Sequence, residues 1–194
     1  VDLEQAPAYG AISYAWGDAT DTRETSCGTG ALKITISLFE GLRRFTGSAT
    51  TRVLWADAMC IDQSNALERG HQVNFMNSIY SCARTVLVWL SEDTLNIAEE
   101  SMKLNAELNE SLEERFLQTN SSKEPWERIQ QISKLPRETS LFDKSRWEAL
   151  MRFLDSPWFS RLWVLQEVGL ASSAVSFCGS FSQAFSEIVQ VALF

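Results

Sequence analysis

VLWADAMCIDQSNALERGHQVNFMNSIYSCARTVLVWL, Val53 to Leu90, spells out a strand, a helix and a second strand, and that order decides the fold class. Val53 to Ile61 is largely apolar and runs into Asp62 and Gln63, as a buried strand running into a loop does. Ser64 to Ala83 carries the helical period, with Val73, Met76, Ile79 and Tyr80 turned to one inward face. Thr85 to Leu90 is a short run of β-branched and apolar residues and reads as the next strand. Two neighbouring strands joined through a helix run parallel.

Outward from this unit the alternation continues. Tyr9 to Trp16 is apolar and β-prone and stops at Gly17-Asp18, so it reads as a buried strand followed by a loop that extends to about Gly30. Leu38 to Phe45 fits a short helix, with Leu38, Leu42 and Phe45 on one face and Arg43 and Arg44 on the other. Arg146 to Leu154 and Pro157 to Val168 read as helices, Ala174 to Cys178 as a last strand, and Gln183 onward as a last helix. The chain is therefore expected to be α/β, with a mainly parallel sheet covered by helices on both faces. Ligands of such folds sit at the carboxyl ends of the strands. Those ends are Tyr14 to Asp18, Asp57 to Gln63 and the segment after Leu90.

With 194 residues, 45% of them hydrophobic and 11% aromatic, the chain can bury a sizeable core as one domain. Between Glu92 and Lys144 the texture changes to Ser, Asn, Glu and Lys, with twelve acidic against seven basic side chains. This span, about 92–145, reads as a helical acidic insertion on the surface, its charges a solvated face. Val1 at the start, and a Phe185 to Phe194 segment that stops in mid-pattern, lead us to expect a domain excised from a longer protein. A net charge of −8 and the lack of a basic run argue against a nucleic-acid surface. No apolar run approaches the length of a membrane span. Cys27, Cys60, Cys82 and Cys178 are scattered without a CxxC pair, and the chain has a single histidine, His71. That is not a zinc set, and the four read as reduced, mostly buried thiols of a cytoplasmic protein.

Pro157 to Glu167, PWFSRLWVLQE, places an acid, an arginine and two tryptophans on one short segment. Read as a helix capped by Ser156 or Asp155, it buries Trp158, Leu162 and Leu165 as a stripe and leaves Arg161, Trp163 and Glu167 on an adjoining face. A carboxylate four residues from an indole suits a cation-like or ribose-bearing ligand. The plainer reading is a half-buried Glu167 paired with Arg161. Trp55 to Gln63, WADAMCIDQ, sets Asp57 and Asp62 at a strand end, for ligand hydroxyls or as a charge partner of Arg161. The plainer reading makes Asp62 a helix cap and Asp57 a turn residue. Cys60 lacks a base, since His71 sits among Glu68, Arg69 and Gln72 on an exposed helix face, and there is no GxSxG elbow. Gly28 and Gly30 form an isolated GxG, far short of a phosphate-cradling loop. Carboxylate chemistry assisted by aromatics is what remains.

Three ordered blocks resemble the fungal heterokaryon-incompatibility (HET) domain: YGAISYAWGD at Tyr9 to Asp18, the LWADAMCIDQ to VLVWL stretch at Leu54 to Leu90, and SPWFSRLWVLQE at Ser156 to Glu167. The resemblance implies a role in fungal non-self recognition and programmed cell death, as the effector part of a larger receptor-like protein. A fainter resemblance links the chain to Toll/interleukin-receptor (TIR) domains, which have a flavodoxin-like parallel sheet. ISY at Ile12 to Tyr14 looks like the TIR first strand, and Asp57 like the acid after its second. SRLWVLQE at Ser160 to Glu167 is similar to the TIR motif SxWCxxE, with one residue inserted before Trp163 and Val164 in place of the Cys. In catalytic TIR domains the matching glutamate is required for cleaving NAD. The resemblance thus implies Glu167 as catalytic residue and NAD as substrate, with no metal or further cofactor. Tyr14, Trp16, Asp18, Asp57, Asp62, Gln63, Arg161 and Trp163 are the substrate-binding candidates around it. Trp163 or Trp16 is expected to stack on nicotinamide; whether Arg161 holds a phosphate or orients Glu167 is open. Self-association and fused or partner receptor domains are implied too. The competing readings are a non-catalytic homotypic interaction module and a domain that binds a different nucleotide.

Overall fold

Gly10–Tyr14, GAISY, forms β1, the strand on which the sheet is built. Ala11 to Tyr14 are all buried, which is what a parallel strand covered on both faces requires. The computed structural model describes residues 3–47, 51–119 and 140–192. After β1 come a hairpin of β2 (Thr22–Cys27) and β3 (Gly30–Thr35), helix α1 (Ile36–Thr46), β4 (Leu54–Trp55), and helices α2 (Asp57–Cys60) and α3 (Ala66–Cys82). Strand β5 (Thr85–Ser91) then leads to α4 (Ala98–Thr119), α5 (Lys144–Leu154), α6 (Val164–Val168), β6 (Ala174–Cys178), β7 (Phe181–Ala184) and α7 (Phe185–Ala192).

Five of the strands form one sheet in the order β4-β1-β5-β6-β7. Strand β1 pairs in parallel with β4, Gly10 opposite Leu54, and with β5 from Gly10–Thr85 to Tyr14–Trp89; β6 continues in parallel and only β7 is antiparallel. In chain order these strands run 2-1-3-4-5, the order of doubly wound sheets of the flavodoxin type, so the direction of winding switches beside β1. The α/β expectation holds: a mostly parallel sheet with helices on both sides.

Alternation along the strands feeds two cores. Ala11, Val86, Val88 and Leu90 pack with Met76 and Ile79 of α3, Leu104 and Leu108 of α4, and Phe153 of α5. Ile12, Tyr14, Leu87 and Trp89 pack on the other side with Leu38 and Phe45 of α1. Gly41 sits in the middle of α1 because the helix crosses Trp89 closely: a Cβ there would lie 3.1 Å from the indole. Thr35, Asn65 and Asp143 start α1, α3 and α5 by accepting hydrogen bonds from first-turn amides.

Several expected elements are corrected. The Val53 to Ile61 strand shrinks to Leu54–Trp55, because the Asp57 carboxylate accepts the Ala58 amide at 2.7 Å and turns the chain into α2. The expected loop from Asp18 to Gly30 contains β2, hidden because TRETSC is almost wholly exposed and shows no alternation; Gly28, at φ +60°, makes its turn. The Pro157 to Val168 helix is helical only from Val164. Of its expected buried stripe only Trp158 is buried, while Leu162 and Leu165 are 85% and 73% exposed. Gln183 belongs to β7, and the last helix starts at Phe185. Helix α4 is helical as expected but turns one face into the core rather than lying wholly on the surface, since Ala98, Leu104 and Leu108 are fully buried; 120–139, also read as part of the insertion, lies outside the described residues. Arg146 of α5 holds α4 through Glu100 and through Glu107 at 2.8 and 3.1 Å. Val73 is exposed rather than inward, and of the four cysteines only Cys178 is buried.

Candidate functional site

Ser13 is the one polar side chain in the buried run of β1, and it points to what the sheet is holding. Its hydroxyl donates to Oε2 of Glu167 and accepts the indole N–H of Trp158 at 2.8 Å. Glu167 itself is only 1% exposed. Helix α6 places it: Trp163 stands at the N-cap, and its carbonyl accepts the Glu167 amide at 3.1 Å. Arg161, in the turn before the helix, closes on the carboxylate from the other side, Nη2 to Oε1 at 2.7 Å and Nη1 to Oε2 at 3.1 Å. A buried carboxylate costs several kcal/mol unless it is paired and hydrogen-bonded, roughly what a bidentate guanidinium and a hydroxyl together offset.

A second carboxylate stands nearby under a different regime. Asp57 accepts the Tyr14 hydroxyl at 2.9 Å, the Trp16 indole N–H at 3.0 Å and the Ala58 amide, all neutral donors. Burial, and then the charge of Asp57, push the Tyr14 phenol far above its ordinary value, so it stays a donor. Tyr80 is raised likewise, by burial first and then by Glu167 and Asp57, and donates to the Ile12 carbonyl at 3.1 Å. Gln63 donates to the Asp57 carbonyl at 3.0 Å, and its own carbonyl accepts Arg69 at 2.8 Å.

These groups border a cleft of about 740 Å³ at the carboxyl ends of β1 and β4, walled by Ala15 to Gly17, by α3 around Arg69 and Gly70, and by Pro157 to Glu167. Trp16, Asp57, Gln63, Arg161, Trp163 and Glu167 all line it, and Tyr14 supports it from behind through Asp57. Asp18 and Asp62 do not. Each turns onto its own loop, Asp18 accepting from Thr20 and Asp62 from Ser64, and those bonds hold both carboxyls below the ordinary range. Asn65, not Asp62, caps α3. Sequence reasoning missed Ser13, Trp158 and Arg69. A lone serine inside a buried strand was a usable signal for the first; the other two depend on how distant segments meet.

The heterokaryon incompatibility protein (HET) family matches residues 9–167, from the residue before β1 to the buried carboxylate. The chain belongs to the HET family. This HET domain is 30% identical over 200 residues to "Heterokaryon incompatibility protein 6, OR allele" of Neurospora crassa, an alignment covering 91% of this chain and 29% of the relative. The chain therefore spans under a third of that relative's length. No solved structure matches it. Among the described residues of the HET domain, no helix is long and apolar enough to cross a membrane, and no cluster of three or more His, Cys, Asp or Glu could hold a metal ion.

Proposed function

We propose that this HET domain is the effector of a fungal incompatibility response and acts by cleaving the nicotinamide–ribose bond of NAD in the cleft above Glu167. The name of the Neurospora relative supports the first half. The observation that carries the second is a fully buried carboxylate on the wall of an open cleft that also presents two indoles, Trp16 and Trp163. Buried acids in clefts are candidate functional groups on physical grounds. The strand order and the Trp163-to-Glu167 spacing support the TIR resemblance from which the substrate comes.

In this reaction the bond between C1′ and the pyridinium nitrogen breaks, its electron pair leaves with nicotinamide, and C1′ becomes oxocarbenium-like. Water adds to C1′ and releases one proton, giving ADP-ribose. Glu167 stabilises the developing positive charge at C1′ or holds the ribose hydroxyls. An indole face suits the positive nicotinamide ring. NAD is the substrate, and the step asks for no second cofactor.

The test is NAD loss followed by chromatography, comparing wild type with Glu167→Gln at high concentration or on a forced-oligomer scaffold. Cleavage by wild type alone supports the reading; intact NAD in both sinks it. One observation favours the rival interaction module. Leu162, Trp163 and Leu165 are 85%, 44% and 73% exposed within four residues, an apolar ridge of the kind a partner covers.

A further inference from the structure

Four charged side chains line the cleft: Asp57, Arg69, Arg161 and Glu167. Two of them are already paired, Arg161 holding Glu167 through both nitrogens. The other two are left without a counter-charge. Asp57 is held by neutral donors alone, and among the described residues no cation pairs with it. Arg69 spends one N–H on the Gln63 carbonyl and, among the described residues, pairs with no carboxylate.

We infer that the cleft reads its ligand by charge at two points, Arg69 taking the pyrophosphate of a dinucleotide and Asp57, beside Trp16, taking a positively charged pyridinium ring. This rests on the nucleotide reading proposed above and adds which end goes where, and why the oxidised form is preferred. A guanidinium with most of its fork unused matches phosphate oxygens in pairs. The neighbouring α3 residues leave it room, Ala66 being small and Gly70 having nothing within 4 Å of a Cβ position. At the other point the hydrogen bond from Trp16 to Asp57 locks the indole against the carboxylate, so a cation on the indole face also meets a fixed negative charge. Gln63 ties the two points into one wall, bonded to Asp57 by its side chain and to Arg69 by its carbonyl. A reduced dinucleotide keeps the pyrophosphate but lacks the ring charge. Neutral nicotinamide, once cleaved, lacks it too, so Asp57 is a binding residue and its hold ends with the reaction.

The experiment is titration calorimetry on wild type, Arg69→Gln, Arg69→Lys and Asp57→Asn with three uncleaved ligands: ADP-ribose, NADH and carbocyclic NAD, which keeps the pyridinium charge. Wild type is expected to hold carbocyclic NAD about tenfold tighter than NADH, one charge pairing in a partly dry site. Asp57→Asn brings the two within about twofold while ADP-ribose binding is unchanged, which also shows that the variant is folded. Arg69→Gln weakens all three by about fivefold or more, and Arg69→Lys recovers part of the loss. Equal binding of the oxidised and reduced forms by wild type, ADP-ribose binding indifferent to Arg69→Gln, or no binding at all overturns the inference. The expected pattern without NAD cleavage keeps it and removes the hydrolase reading; NAD cleavage indifferent to both positions does the reverse.

Discussion

Trp158 donates its indole N–H to the Ser13 hydroxyl over 2.8 Å, across 145 residues of chain, and so decides where the Ser13 proton points. Indole is a donor only, so Ser13 must accept from it, and the single hydroxyl hydrogen is left for Glu167. The carboxylate is thereby oriented from the sheet side while Arg161 orients it from the cleft side. Trp158→Phe keeps an aromatic ring but leaves a gap where the indole's second ring stood, and it frees the hydroxyl, an expected loss of about 1–2 kcal/mol. Ser13→Ala strands a buried indole N–H and removes a donor from Glu167, an expected loss of about 2–3 kcal/mol with a fall in NAD cleavage. Urea denaturation and initial rates on both variants check the order; a Ser13→Ala protein as stable and active as wild type refutes it.

Arg161 and Glu167 share an ion pair but not a role. Arg161→Met leaves a carboxylate that is 1% exposed without a counter-charge, and the expected loss is about 3–5 kcal/mol. Glu167→Gln keeps an acceptor for Ser13 and is expected to cost less, about 1–2 kcal/mol, and on the hydrolase reading to abolish cleavage. Thermal unfolding beside NAD loss separates the two. Equal destabilisation with cleavage intact in Glu167→Gln would reduce the pair to a structural one.

The parallel sheet was legible because β1 and β5 are continuous apolar runs and α3 lies between two strands, a pattern with few alternatives. Asp57 was legible because acids at strand ends seldom serve packing, Glu167 because it stands four residues from Trp163 in a segment similar to the TIR motif, and both line one cleft. The stretch from Pro157 to Arg161 was misread for a definite reason. Trp158 is buried by its bond to Ser13 and by edge contacts with Phe159 and Phe185, none of which a helical period encodes. Strand β2 was invisible because it pairs only with β3 and buries almost nothing. Arg69 was passed over as one more charge on a solvated helix face. Its place in the site follows from the first turns of α3 standing beside the carboxyl ends of β1 and β4, which is a tertiary fact.

Gly41→Val tests how closely α1 lies on the sheet. Valine brings a Cβ to 3.1 Å of the Trp89 indole and two methyls beyond it, so the helix must lift or the indole must turn. Overpacking of this kind costs about 1–3 kcal/mol. Denaturation should show that loss with the binding of ADP-ribose unchanged, since α1 lies on the face away from α3. Stability equal to wild type would mean that α1 does not cross Trp89 at this point.

Acid sensitivity should reside in part at the seam of α4 and α5. The hydrogen bonds from Arg146 hold the Glu107 carboxyl below its ordinary 4.5. A carboxyl depressed on folding contributes stability that is fully present above 4.5 and is lost as pH falls through the folded value. Glu107 is 33% exposed, so screening trims the effect to about 0.5–1 kcal/mol. Glu107→Gln is therefore expected to be less stable than wild type at pH 7 by that amount, and the gap closes at an acid pH that lies below both the ordinary and the folded value. Denaturation curves at the two pH values check this, and a gap that widens toward acid contradicts it.

Leu162 and Leu165 decide between a site and a surface. Both are far more exposed than buried, so Leu162→Glu with Leu165→Glu should change stability by no more than about 0.5 kcal/mol each. Neither lines the cleft, so NAD cleavage on a forced-oligomer scaffold should survive the pair. Growth of a fungal host expressing each variant then divides the readings. On the hydrolase reading Glu167→Gln is harmless to the host, and the leucine pair loses toxicity only as far as it blocks association. A toxic Glu167→Gln beside a harmless leucine pair would move the killing activity from the cleft to the ridge, because a cell-death signal that ignores the one buried carboxylate of the cleft must pass through contacts made outside it.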